Sequence, residues 1–108
     1  MKTKFLLALV IVAIACSASY ARHDEQYVIE EASRRGIKLI SQQEVMDIAI
    51  KSFKPDEVFI RDFDLDDHYK DSAEFRPIYE LECVSRGRKY DMDIDAVTGE
   101  VLKFKLDH

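Results

Sequence analysis

At 108 residues, 47% of them hydrophobic, the chain has room for one small domain. It carries 16 basic against 21 acidic residues, a formal charge of −5 at pH 7, a balance that gives no electrostatic drive towards nucleic acid or an anionic membrane surface. With three glycines and two cysteines it holds neither a glycine-rich phosphate loop nor a disulfide framework.

Residues 1–21 have the three regions of a bacterial-type secretory signal peptide: Lys2 and Lys4, an uncharged run over residues 5–15, then small residues up to Ala21. The run is shorter than the roughly 20 apolar residues of a membrane-spanning helix. Cleavage is expected after Ala21, with Ser19 and Ala21 as the small residues before the cut. Ala13-Ile14-Ala15-Cys16 offers a second route. It loosely resembles a lipobox, without the usual leucine, and would make the chain a lipoprotein anchored at Cys16. The expected destination is periplasmic or secreted, with membrane attachment only if Cys16 is lipidated. Cleavage after Ala21 removes two lysines and no acid, which leaves 14 basic against 21 acidic residues, a charge of −7, and Cys83 as the one cysteine. Cys83 shares the parity of Tyr79 and Leu81 and is expected to be a buried small hydrophobe.

The domain is expected over residues 22–108. Residues 22–26 are polar. Residues 27–35, with Tyr27, Val28, Ile29 and Ala32, predict a short helix entered near Asp24 and stopped by Gly36. Arg34 and Arg35 sit in its last turn, where the helix dipole favours cations. Residues 41–54 predict the best helix. Ser41 and Glu44 form an S-x-x-E capping box. Val45, Ile48 and Ala49, with Met46, Ile50 and Phe53 beside them, make a broad apolar face, read as core rather than a ligand-facing stripe. Lys54 precedes Pro55, which ends the helix.

Residues 57–65 predict a strand with Phe59, Phe63 and Leu65 on one side and Val58 and Ile60 on the other. Residues 66–74 are a polar loop. Arg76-Pro77 opens a second strand, in which Tyr79, Leu81 and Cys83 alternate with Glu80 and Glu82. Residues 85–88 hold a turn. The third strand alternates Tyr90, Met92 and Ile94 with Lys89, Asp91, Asp93 and Asp95. Residues 95–99 form a loop in which Gly99 is free to take positive φ. In the fourth strand Leu102, Phe104 and Leu106 are expected to face inward, with Lys103 and Lys105 outside, across from Asp91 and Asp93. This order predicts an α+β fold: a helix-turn-helix packed on one face of a four-stranded antiparallel β-meander.

Three patterns bear on chemistry. Asp91-x-Asp93-x-Asp95 resembles the start of a calcium loop. However, Ala96 stands where a glycine is needed and Leu102 where a bidentate carboxylate is needed, and alternation alone accounts for the aspartates as the wet face of a strand. Asp62, Asp64, Asp66, Asp67 and His68 could hold a divalent ion or small ligand, against the simpler reading of a solvated strand end and loop. For catalysis, His23, His68 and His108 lie in a tail, a loop and the C-terminus, with no serine or cysteine in a nucleophile context. Glu80 and Glu82 face the same way, but nothing in the sequence places a pocket around them. No catalytic, cofactor-binding or metal-binding residue is therefore assigned, and no cofactor or enzyme activity is expected.

Three segments resemble the PepSY domain family. The helix opening at Ile40-Ser41-Gln42-Gln43-Glu44-Val45 is similar to that domain's capped helix. Pro77-Ile78-Tyr79-Glu80-Leu81-Glu82-Cys83 is similar to its Y-x-V-x-V strand. Tyr90-Asp91-Met92-Asp93-Ile94-Asp95-Ala96-Val97-Thr98-Gly99-Glu100-Val101-Leu102 resembles its strand ending in D-A-x-T-G-E-V-L. The resemblance spans about residues 39–106. It implies a helix-on-sheet fold similar to one repeat of β-lactamase inhibitory protein. It also implies a non-catalytic domain that binds and restrains a peptidase or otherwise regulates proteolysis at the cell envelope. With no peptidase within these residues, the target is expected to be a separate protein. Tyr79 and Tyr90 are expected at the core or on the sheet face. The alternative is a periplasmic small-ligand or metal-binding protein using the acidic segment 62–71.

Overall fold

The computed structural model describes residues 23–107; the expected signal segment, Cys16 and His108 lie outside them. The elements are α1 (His23–Arg34), α2 (Gln42–Phe53), β1 (Phe59–Asp66), β2 (Ile78–Ser85), β3 (Arg88–Asp95) and β4 (Val101–Leu106). The strands form one antiparallel sheet in the order β1-β2-β3-β4. This is the predicted α+β arrangement of two helices and a four-stranded meander.

Local chemistry sets the helix ends. Gly36, at φ 71°, closes α1, with Gly36 N–H donating to the Ser33 carbonyl and Ile37 N–H to that of Ala32; this is the paired bonding of a Schellman cap. Both halves of the Ser41–Glu44 capping box form at the start of α2. Between β2 and β3 a two-residue turn places Arg86 at φ 55° and Gly87 at φ 76°, the doubly left-handed geometry that matches the twist of a hairpin.

The core lies between the helices and one face of the sheet. Val28 of α1 and Val45, Ala49 and Phe53 of α2 join Leu65, Tyr79, Leu81, Cys83, Met92 and Ile94 in one buried cluster. The Tyr79 hydroxyl, at the core margin, donates to the Ile40 carbonyl at 3.2 Å. Tyr90 packs edge-on against Phe53.

Four sequence expectations need correction. A bulge between Ile60 and Asp62 shifts the β1 register, so that Ile60 opposes Cys83 and Phe63 opposes Leu81. An inserted residue reverses strand parity, so Val58 and Ile60 pack against the core while Phe59 is 67% exposed. A second bulge carries β3 and β4 from Asp93 opposite Lys103 to Ile94 opposite Val101, which takes Leu102 out of the ladder. Phe104 does oppose Met92, but it lies over Phe53 at the rim and stays 43% exposed. Met46 and Ile50 of the expected apolar face are exposed.

The β3–β4 turn ties the segment leading into α2 to the sheet. The Asp95 carboxylate accepts the N–H groups of Val97 and Thr98 at 2.8 and 3.0 Å and holds the Arg76 guanidinium at 3.1 Å. Ala96, fully buried, donates to the Pro77 carbonyl and accepts from Ile40 N–H just ahead of α2. Gly99 sits at φ 81°, where a Cβ would lie 3.1 Å from Ile48 Cδ1. Gly99→Ala is therefore expected to lower the unfolding free energy by about 1–3 kcal/mol through left-handed strain. Urea denaturation measures this, and a loss below about 0.5 kcal/mol, the range of an ordinary surface change, would contradict the role given to the turn.

Candidate functional site

The side of the sheet away from the core carries no helix among the described residues, and acids occupy it in register. Asp62 opposes Glu82, which opposes Asp91; Asp64 opposes Glu80, which opposes Asp93. These are two Asp–Glu–Asp rows running across β1, β2 and β3. Lys105 and Lys103 on β4 stand opposite Asp91 and Asp93, the cross-strand placement that alternation predicts.

The rows line a shallow basin bordered by Lys103. Two sequence expectations change here. Glu80 and Glu82, expected without a pocket, form the middle of this one. The strand aspartates are also not uniformly wet, since Asp93 and Asp95 are 9% and 5% exposed.

The basin is unevenly neutralised. Glu82 is flanked by Arg61 at 3.6 Å and Lys89 at 3.9 Å. For Glu80, partial burial, then the charges of Asp66 and Asp93, push its carboxyl above the usual range. Burial raises Asp93 as well. The positive charge of Lys103 opposes that rise, and Asp91 adds to it. Like charges directly opposite one another on a sheet are destabilising, so this face costs the fold stability.

The acidic segment beyond β1 divides into two parts. Asp66, Asp67 and His68 bring ligand atoms within 4.8 Å of one another, while Asp62 and Asp64 belong to the sheet rows. His68 Nδ1 lies 2.6 Å from Asp67 Oδ1 and 3.7 Å from Asp66 Oδ1. Its hydrogen bond to Asp67 raises the His68 pKa and lowers that of Asp67. The pair thus favours the protonated ring, whose proton a metal ion would have to displace.

The remaining candidates are structural. Asp95 caps its turn: burial opposes its ionisation, but the N–H groups of Thr98 and Val97 and the Arg76 guanidinium outweigh that and hold its carboxyl below the usual range. Cys83 is fully buried, as expected, and burial pushes its thiol up to about 11, far from a reactive thiolate. His23 opens α1. The basin is not visible within any single strand, because each acid is accounted for by the alternation of its own strand. The available signal was that three successive strands carry acids at their outward positions, Asp62 and Asp64, Glu80 and Glu82, Asp91 and Asp93.

The raised carboxyls have a pH signature. A folded state that holds protons more tightly than the unfolded chain gains stability as pH falls through the folded pKa towards the ordinary carboxylate value of about 4. The penalty from Glu80 and Asp93 is thus complete above their folded pKa. The double variant Glu80→Gln/Asp93→Asn is expected to be more stable than the natural protein by about 0.5 kcal/mol at pH 7. Its advantage shrinks as pH falls towards the ordinary carboxylate value. Urea titrations at stepped pH check this; a double variant that is less stable at pH 7 would contradict it.

Among the described residues no helix is long and apolar enough to cross a membrane. No curated protein and no solved structure matches the chain. The family model described as "Peptidase propeptide and YPEB domain" matches residues 39–105, a span that runs from just ahead of α2 into β4 and includes the Asp95 turn and both carboxylate rows. The chain belongs to the PepSY family.

Proposed function

We propose that this protein is a non-catalytic, exported binding domain that modulates or inhibits a separate protein partner, an envelope or secreted peptidase. The observation that carries this reading is the family match over residues 39–105 on a fold in which the sheet face that carries no helix among the described residues is lined by carboxylates. The family is that of a peptidase propeptide domain, and such a domain restrains its peptidase through a surface rather than a reacting group. Residues 1–21 supply the route out of the cell, and lipidation at Cys16 is the alternative that would hold the protein at the membrane.

A second reading, a periplasmic metal-binding or small-ligand protein, draws on the convergence of Asp66, Asp67 and His68. Thermal unfolding of the processed protein separates the two. The peptidase reading predicts that an envelope peptidase raises the melting temperature and that its own activity falls saturably as the protein is added, while millimolar zinc or calcium leaves the melting temperature unchanged. A metal-dependent rise that Asp67→Asn removes, with no peptidase bound, would overturn it in favour of the second reading.

A further inference from the structure

The carboxylate rows specify the chemistry of a partner. Along a strand, residues two apart on one face are separated by about 6.8 Å. That is the spacing between the Asp62–Glu82–Asp91 row and the Asp64–Glu80–Asp93 row, which lie two residues apart on each of β1, β2 and β3. An extended peptide repeats its side chains at the same interval on its own lower face. From this match we infer that the helix-free face binds an extended segment of a protein partner carrying Lys or Arg at alternate positions, with successive cations seated over successive rows.

Independent features support a cationic ligand. Asp93 is nine-tenths buried and lines the basin. Lys103 and Lys70 act on its charge, yet neither forms an ion pair with it within 4 Å. Glu80, next to it in the row, meets the like charges of Asp66 and Asp93. An arriving ammonium or guanidinium would find acceptors already gathered and partly desolvated, where charge pairing is strongest. A metal ion fits less well. Among the described residues, the metal-capable group is Asp66, Asp67 and His68, and the row carboxylates do not form one. The rows are spread at strand spacing, about 4.8 Å between neighbours, which suits several cations over an area rather than one ion at a point. A second copy of this acidic chain fits poorly for the same reason of charge.

The inference rests on the binding-domain reading and adds the surface and the chemistry of its occupant. The test uses two six-residue peptides of equal charge, Lys-Thr-Lys-Thr-Lys-Thr and its isomer Lys-Lys-Thr-Thr-Lys-Thr, which has no pair of lysines two residues apart. Affinities come from NMR titration of the full processed protein. The alternating peptide is expected to bind about tenfold more tightly than the isomer, and to weaken about tenfold between roughly 50 and 300 mM salt. The variant Glu80→Gln/Asp93→Asn should lose this binding, and Asp67→Asn should keep it. Equal affinity for the two peptides, no binding of either, or unchanged binding by the double variant overturns the inference. If a peptidase is captured equally well by the double variant, the inference fails and the binding-domain reading stands. If the alternating peptide binds as described but no peptidase is captured, the surface stands and the peptidase reading fails.

Discussion

Asp95 is the point on which this structure turns. One carboxylate oxygen gathers the N–H groups of Val97 and Thr98, and the other holds Arg76. Its backbone closes the β3–β4 hairpin through Glu100 and Gly99. The next residue, Ala96, bonds to Pro77 at the start of β2 and to Ile40 ahead of α2. A single short turn thereby ties together a hairpin, the central strand and the second helix. Asp95 is buried, and a buried carboxylate is tolerable only when its hydrogen bonds are complete. The D-A-x-T-G-E segment supplies two of those bonds, from Val97 and Thr98, and Arg76 supplies the third, with Gly99 at positive φ in the turn.

Once the helices are held to one face, the other face is left to solvent and partners. Its composition is not what stability alone would select. Alternating acids with Lys, Thr or Arg across β1, β2 and β3 would have given attractive cross-strand pairs. Instead the rows place acid opposite acid across three strands. Natural folds retain locally unfavourable arrangements at sites of function. An acidic sheet face on a peptidase-propeptide scaffold suits the binding role proposed above.

Much of this was legible in the chain. The Ser41–Glu44 box, Gly36, the alternation from Tyr79 to Ile94 and the Asp95–Gly99 turn each have a local physical cause, and each formed as its residues dictate. The two bulges are invisible to alternation, which counts parity, because an inserted residue resets it. A trace was present in β1: Ile60 and Phe63 are three apart, which two core-facing residues of an unbroken strand cannot be. The exposure of Phe59 follows from the first bulge, while that of Met46 and Ile50 depends on where α2 comes to rest, which no local pattern encodes. The basin is hidden for a related reason, since it exists only after three strands are set side by side.

The central claim is that the helix-free carboxylate face, and not the helices or the β4 edge, is the working surface. Carbon-13 NMR of the side-chain carboxyls, recorded with and without a bound peptidase, tests this most directly. The account predicts that the shifts of Glu80, Glu82, Asp91 and Asp93 move together on binding while the amides of α2 stay in place. Shifts confined to α1, α2 or the outer edge of β4, with the four carboxyls unmoved, would contradict it.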